Sequence, residues 1–284
     1  MGLDSMANGR FHLLDTLPPG RFSLSYLAED RHLGRRVVVR CLDRAAVPEH
    51  LQAQFRREAR ALAALRHPGV PAVHDFMEDS ERLYVILETV QGRPLQEVMD
   101  QGAMAPDQAL GIARQVAEAL AAAHKRGLVH RDVQPRNIFL AGRGRARLVN
   151  FEISRTPESP AATQVLSSIT VHEYLAPEQL FRGQADARSD LYSLGMVLYR
   201  MLAGPSARVV IGGTRGRPVQ LPPAPHWTPT LRRAVEPLLT QALAPDPDQR
   251  FQSAVAVVRA LRACRASVAR LSQGDRTESE RGAV

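Results

Sequence analysis

A chain of 284 residues with 44% hydrophobic and 23% charged residues has the makeup of a folded protein, and its length favours two cores over one. No apolar run approaches the roughly 20 residues that a membrane span needs, no signal peptide is visible in the polar stretch Met1–Arg10, and two cysteines, Cys41 and Cys264, are too few for a disulfide framework or a zinc site. The net charge of +8 is carried almost wholly by scattered arginines, Lys125 being the one lysine, and aromatics make up only 5%, so nucleic acid is not an expected partner. A cytoplasmic location is the expectation.

Residues 1–10 read as a flexible start. Three strands follow at Phe11–Leu17, Phe22–Ala28 and Arg36–Leu42, broken by Pro18-Pro19-Gly20 and His32-Leu33-Gly34. Pro48–Arg66 reads as a helix with an apolar stripe of Leu51, Phe55, Leu62 and Leu65. Glu58 falls on that stripe, and a carboxylate facing inward needs a cation. Pro68–Glu78 and Arg82–Thr89 supply two more strands. From Leu95 the character turns helical: Pro106–Arg126, stopped by Gly127, then Asp190–Leu202, Leu231–Leu243 and Ser253–Leu271. Pro205–Pro222 is expected to hold no long regular helix, and Ser272–Val284 reads as a disordered tail. The fold class is therefore α+β and bilobal. A small β-rich N-lobe with one main helix spans residues 11–89, a hinge spans 90–94, and a larger helical C-lobe spans 95–271.

The segment Leu128-Val129-His130-Arg131-Asp132-Val133-Gln134-Pro135-Arg136-Asn137-Ile138-Phe139-Leu140 resembles the catalytic loop of eukaryotic-like (Hanks-type) bacterial serine/threonine protein kinases. Its neighbours stand in the family's order: Val37-Val38-Val39-Arg40, Glu58, Asn150-Phe151-Glu152, Ala176-Pro177-Glu178, Asp190-Leu191-Tyr192-Ser193-Leu194-Gly195 and Arg250. The resemblance covers about residues 11–265 and implies a protein-kinase fold. It also implies roles. Asp132 stands at the catalytic base, and His130 and Asp190 buttress the loop. Arg131 stands where an activation-loop phosphate is received, and Arg250 pairs with Glu178. Leu87 is the gatekeeper, with Glu88 to Val90 as hinge.

The departures from that pattern fall on the chemistry. Arg40 replaces the nucleotide lysine, and a planar guanidinium is not a conservative exchange for a compact ammonium. A structural Arg40–Glu58 ion pair is the favoured reading of that position. Asn150 replaces the metal aspartate, so it and Asn137 would offer two neutral amides where magnesium favours charged oxygens. Glu152 stands in place of a glycine. Gln134 replaces the lysine that assists the base, and Val171, beside Thr170, aligns with its tethering threonine. The phosphate loop reads Pro18, Gly20, Ser23, and Pro18 has no amide proton to offer. Around the adenine site Val38 replaces alanine, Ser25 replaces valine, and Phe139 forms the floor.

Two functions follow from the resemblance and stay open. One is a degenerate kinase, a pseudokinase binding another protein in regulation, with no cofactor. The other is a weakly active serine/threonine kinase using ATP and Mg2+. Ser159, Thr163, Ser167, Ser168 and Thr170, on Arg155–Val171, are candidate sites for a second kinase. A small-molecule phosphotransferase fits less well, because Ala176-Pro177-Glu178 and Arg250 are protein-kinase features.

Overall fold

Alternation along Arg35–Asp43 (β4) sets the frame of the first lobe in the computed structural model, which describes residues 5–7, 9–20, 23–151, 173–205, 219–222 and 228–281. Val37, Val39 and Cys41 point into an outer apolar cluster with Phe11, Tyr26 and Ile86, while Leu42 joins the main core. With Val37, Val39, Cys41 and Leu42 all buried, the middle of β4 is covered on both faces. It pairs antiparallel with Leu24–Asp30 (β3) and Arg82–Glu88 (β6). Phe11–Leu17 (β2), Val73–Glu78 (β5) and a two-residue strand Ser5–Met6 (β1) complete a sheet of order β1-β2-β3-β4-β6-β5. The strand β1 corrects the expectation of a wholly flexible start. Met6 is buried on the outer cluster, so pairing with β2 removes an apolar side chain from water.

Glu49–Ala63 (α1) lays Leu51, Phe55, Ala59 and Leu62 against the sheet, as the stripe predicts, and Leu65 is buried just past its end. Beyond β6 the chain passes through Arg93–Pro94 (β7) and the short helix Leu95–Met99 (α2). With Ile138–Ala141 (β8) and Arg145–Leu148 (β9), β7 forms a small antiparallel sheet. None of β7, β8, β9 or α2 is evident in the sequence pattern, because runs of two to five residues carry almost no periodicity.

The second lobe is built from Pro106–His124 (α3), Pro177–Phe181 (α4), Ala187–Ala203 (α5), Pro229–Ala242 (α6) and Ala254–Arg281 (α7). Asp186 caps α5 by accepting from Arg188 N, and Thr228 caps α6 by accepting from Leu231 N. These caps explain why both helices start earlier than apolar periodicity alone indicates. The helix α7 continues ten residues past Leu271, which corrects the expected disordered tail as far as Arg281. Its last stretch has no β-branched run and no proline, and several of its residues favour helix. The expectation for Pro205–Pro222 falls mostly outside the described residues. One core cluster runs from Leu42, Phe55 and Leu62 through Phe151 to Leu191 and Leu261, so the lobes share apolar packing at the cleft's back.

Close packing of α5 on α6 depends on Gly195, where an added Cβ would lie 2.7 Å from Ala242 Cβ. Neither atom can swing away. Gly195→Ala is therefore expected to destabilise the fold by about 1–3 kcal/mol despite its better helix propensity, read as a lower midpoint in urea.

Candidate functional site

At the first turn of α5, Asp190 is 1% exposed and organises the loop that precedes β8. Its Oδ2 accepts from His130 N at 2.8 Å, its Oδ1 from Arg131 N at 2.7 Å, and His124 Nε2 lies 2.8 Å from Oδ2. A buried carboxylate needs such partners. Arg131 sits at φ +67, a strained value for a non-glycine residue. It is held there by Asp190 from one side and by Gln179 Nε2, which donates to Arg131 O at 3.0 Å, from the other. His130 Nδ1 accepts from Asp132 N at 3.3 Å, leaving Nε2 to donate to Val149 O at 2.8 Å. The ring also meets Phe151 edge-on with centroids 4.6 Å apart. The predicted roles of His130 and Asp190 as buttresses match this geometry.

The loop delivers Asp132 to the cleft, where its side chain is 32% exposed. There a chain of hydrogen bonds runs from lobe to lobe. Arg40, 5% exposed on β4, donates from Nη2 to Asn150 Oδ1 at 3.2 Å and from Nη1 to Phe151 O. Asn150 Nδ2 donates to Asn137 Oδ1 at 2.9 Å. Asn137 Nδ2 in turn donates to Asp132 Oδ2 at 2.7 Å and to Asp132 O at 2.9 Å. Gln134 Nε2 donates to Asp132 Oδ1, and Arg136 stands 3.8 Å from Oδ2. Asn150 holds φ +60, a left-handed conformation that asparagine tolerates better than most residues. Each side-chain oxygen of Asp132, Asn137 and Asn150 thus faces an N–H donor or a guanidinium of this chain.

The expected Arg40–Glu58 pair is corrected here. Among the described residues no ion pair joins them, and Glu58 Oε1 accepts from Gln54 Nε2 at 2.9 Å on its own helix. The helical register explains it: the buried face of α1 is Leu51, Phe55, Ala59 and Leu62, and Glu58 lies beside that face rather than on it. Val38 and Leu87 are cross-strand partners, as are Ser25 and Arg40. Ser25 is buried, and its Oγ has no hydrogen-bond partner among the described residues. Phe139, on β8, pairs with Pro94 and Arg147. Gly20 donates its N–H to Ser23 O at 2.8 Å, and a Cβ at Gly20 would lie 2.7 Å from Ser23 Oγ. Val90, in the hinge, is partly buried. Glu152, Val171 and the candidate phosphosites lie outside the described residues.

Two ion pairs bracket the site. Glu178 and Arg250, paired as the sequence indicated, meet bidentately at 2.7 and 2.8 Å, with Arg250 fully buried and Ser189 Oγ donating to Glu178 at 2.6 Å. Burial alone would raise the Glu178 carboxyl, but hydrogen bonds from Arg250 and Ser189 outweigh it and hold it below its ordinary range. The second pair was not foreseen. Glu88 at the hinge takes Arg147 Nη1 at 2.6 Å and Nη2 at 2.7 Å, and also Ala72 N at 3.0 Å. The hydrogen bond from Arg147 lowers the Glu88 carboxyl. Nothing in Arg145-Ala146-Arg147 marks that arginine as the hinge's partner, since β9 is too short to read.

Residues 11–260 match the protein kinase domain family. The chain belongs to that family. Among its relatives is the serine/threonine-protein kinase pkn2 of Myxococcus xanthus, 37% identical over 94% of this chain and 34% of that protein. PrkC of Bacillus subtilis is 34% identical over 87% of this chain and 39% of its own length. PknA of Mycobacterium tuberculosis is 34% identical over 89% and 62% respectively. The chain therefore spans about a third to two-fifths of the length of the first two relatives.

Removing Arg40 would strip a charged donor from Asn150 and from the buried Phe151 carbonyl. Arg40→Ala is expected to destabilise the kinase domain by about 1–3 kcal/mol, measured by urea denaturation without nucleotide. Arg250→Ala, which strands Glu178, should remove about 3–5 kcal/mol. The folded-state carboxyl of Glu88 is lowered, so its stabilisation is complete above the unfolded value of about 4.3 and is lost as pH falls through the lower folded value. Urea midpoints between pH 7 and pH 3 should accordingly fall more steeply for the wild type than for Glu88→Gln.

Proposed function

We propose that this kinase-fold domain is catalytically impaired and serves as a protein-binding regulatory module in bacterial serine/threonine signalling. The observation that carries this reading is the closed chain Arg40–Asn150–Asn137–Asp132–Gln134. Magnesium binding to such a site calls for oxygens free to turn toward a dication, preferably charged ones. Here two of the three side chains are amides, and the site already contains a cation of its own, the Arg40 guanidinium. Two unit charges about 4 Å apart repel by about 4 kcal/mol at an effective dielectric of 20, and a dication doubles that. The donor set therefore does not suit a chelated divalent metal. Loss of a single preorganised charge-stabilising group lowers rates by about 10²–10³, and Arg40, Asn150 and Gln134 are three departures at once.

A second reading has its own support. Asp132 stands partly exposed at the cleft on a loop whose buttressing is complete, and the relatives are named serine/threonine kinases. On that reading the domain transfers the γ-phosphate of ATP slowly to protein serine or threonine, with Arg40 swinging off Asn150 as nucleotide enters.

Calorimetric titration with ATP, with and without magnesium, separates the two. The first reading expects no magnesium-dependent binding by the wild type and a gain in Asn150→Asp, which restores a charged oxygen. Micromolar, magnesium-dependent binding by the wild type, with radiolabel transfer that Asp132→Asn abolishes, would establish the second instead.

A further inference from the structure

A shallow groove of about 550 Å3 lies between α3 and α7, lined by Asp107, Arg114, Arg262, Arg265, Ala266 and Ala269. Its charges do not balance. From Ala254 to Leu271, α7 carries Arg259, Arg262, Arg265 and Arg270 and no aspartate or glutamate. Against them α3 sets Asp107 and Glu118. Asp107 is committed to Arg265, at 2.6 and 3.0 Å, and that hydrogen-bonded pairing lowers its carboxyl. Glu118 is shared: its Oε1 accepts from Arg114 at 2.7 Å and from Arg262 at 2.8 Å. Among the described residues, three guanidiniums in the groove thus meet two carboxylates, an excess of one positive charge.

The shape suits an extended ligand. Gly111 leaves the wall of α3 bare, and a Cβ there would touch Arg265 Cζ at 3.7 Å, so the guanidinium lies along the helix on its way to Asp107. Ala266 and Ala269 keep the floor low. Arg262 is 63% exposed and uses one nitrogen on Glu118, so the rest of its planar fork faces solvent. Arg259 and Arg270, both exposed, extend the positive strip along α7. An incoming carboxylate would complete the pairing of Arg262 without breaking an existing ion pair.

We propose that this groove is a docking site for a carboxylate-rich segment of a partner protein, read chiefly by Arg262 and Arg114. An anionic bilayer fits less well. Among the described residues, none of the exposed large apolar side chains, Leu14, Leu24, Leu33, Phe181 and Val255, is among its lining residues, so nothing there would insert into a bilayer.

The test is fluorescence anisotropy of a labelled hexaglutamate peptide titrated with the 284-residue chain at low salt. Arg262→Glu should weaken binding about tenfold or more, and Arg262→Gln, which removes the charge without adding repulsion, should weaken it less. The control is Arg36→Glu, which makes the same change in net charge at an exposed position on β4. That control should lose less than about twofold. Equal losses at Arg36 and Arg262 would mean that only overall charge attracts the peptide, and would overturn the proposal. So would absence of hexaglutamate binding, or Arg262-dependent binding to phosphatidylglycerol vesicles without it. Circular dichroism melts of each variant identify any loss that comes from unfolding.

Discussion

A single buried carboxylate underlies the arrangement of the cleft. Asp190 gathers the backbone N–H groups of His130 and Arg131 and the ring of His124 at the first turn of a helix that is buried on nearly every side. Those three contacts satisfy a charge that would otherwise be costly to bury. They also hold Arg131 in a left-handed conformation, and that turn of the backbone aims Asp132 into the space between the lobes. The loop's shape is thus set from the rigid core of the C-lobe.

From the opposite lobe the cleft receives Arg40. A lysine ends in a compact point charge on a flexible stem, whereas a guanidinium is a planar fork with fixed donor directions. At this position the fork spans two acceptors, the amide of Asn150 and the carbonyl of Phe151. Asparagine at 150 suits the exchange twice over, because its oxygen accepts from the arginine and its nitrogen donates onward to Asn137. An aspartate would offer no such donor. The substitutions at 40, 134 and 150 therefore form one consistent polar network rather than three separate losses, which is the agreement among local choices that a well-specified structure displays.

Much of this was legible in the residues. The catalytic-loop segment, Asp190, Glu178 and Arg250 stood at readable spacings, and the large helices declared themselves by periodicity and caps. The partner of Arg40 was not legible. Glu58 looked inward on a coarse apolar stripe, but a few tens of degrees of helical rotation separate a buried position from a flanking one. The short elements β7, β8, β9 and α2 were hidden for a different reason, since they are defined by pairing across the chain. Arg147 belongs to that hidden set, and so its clasp on Glu88 could emerge only once β9 was placed beside β8.

Gly92, in the connection between the lobes, fixes how near that connection can run to β8. At φ +154 its backbone passes so close that any side chain would begin 2.6 Å from the carbonyl oxygen of Leu140. A larger residue at 92 would have to push the crossing off β8, so glycine at this one position keeps the strap between the lobes seated against the small sheet.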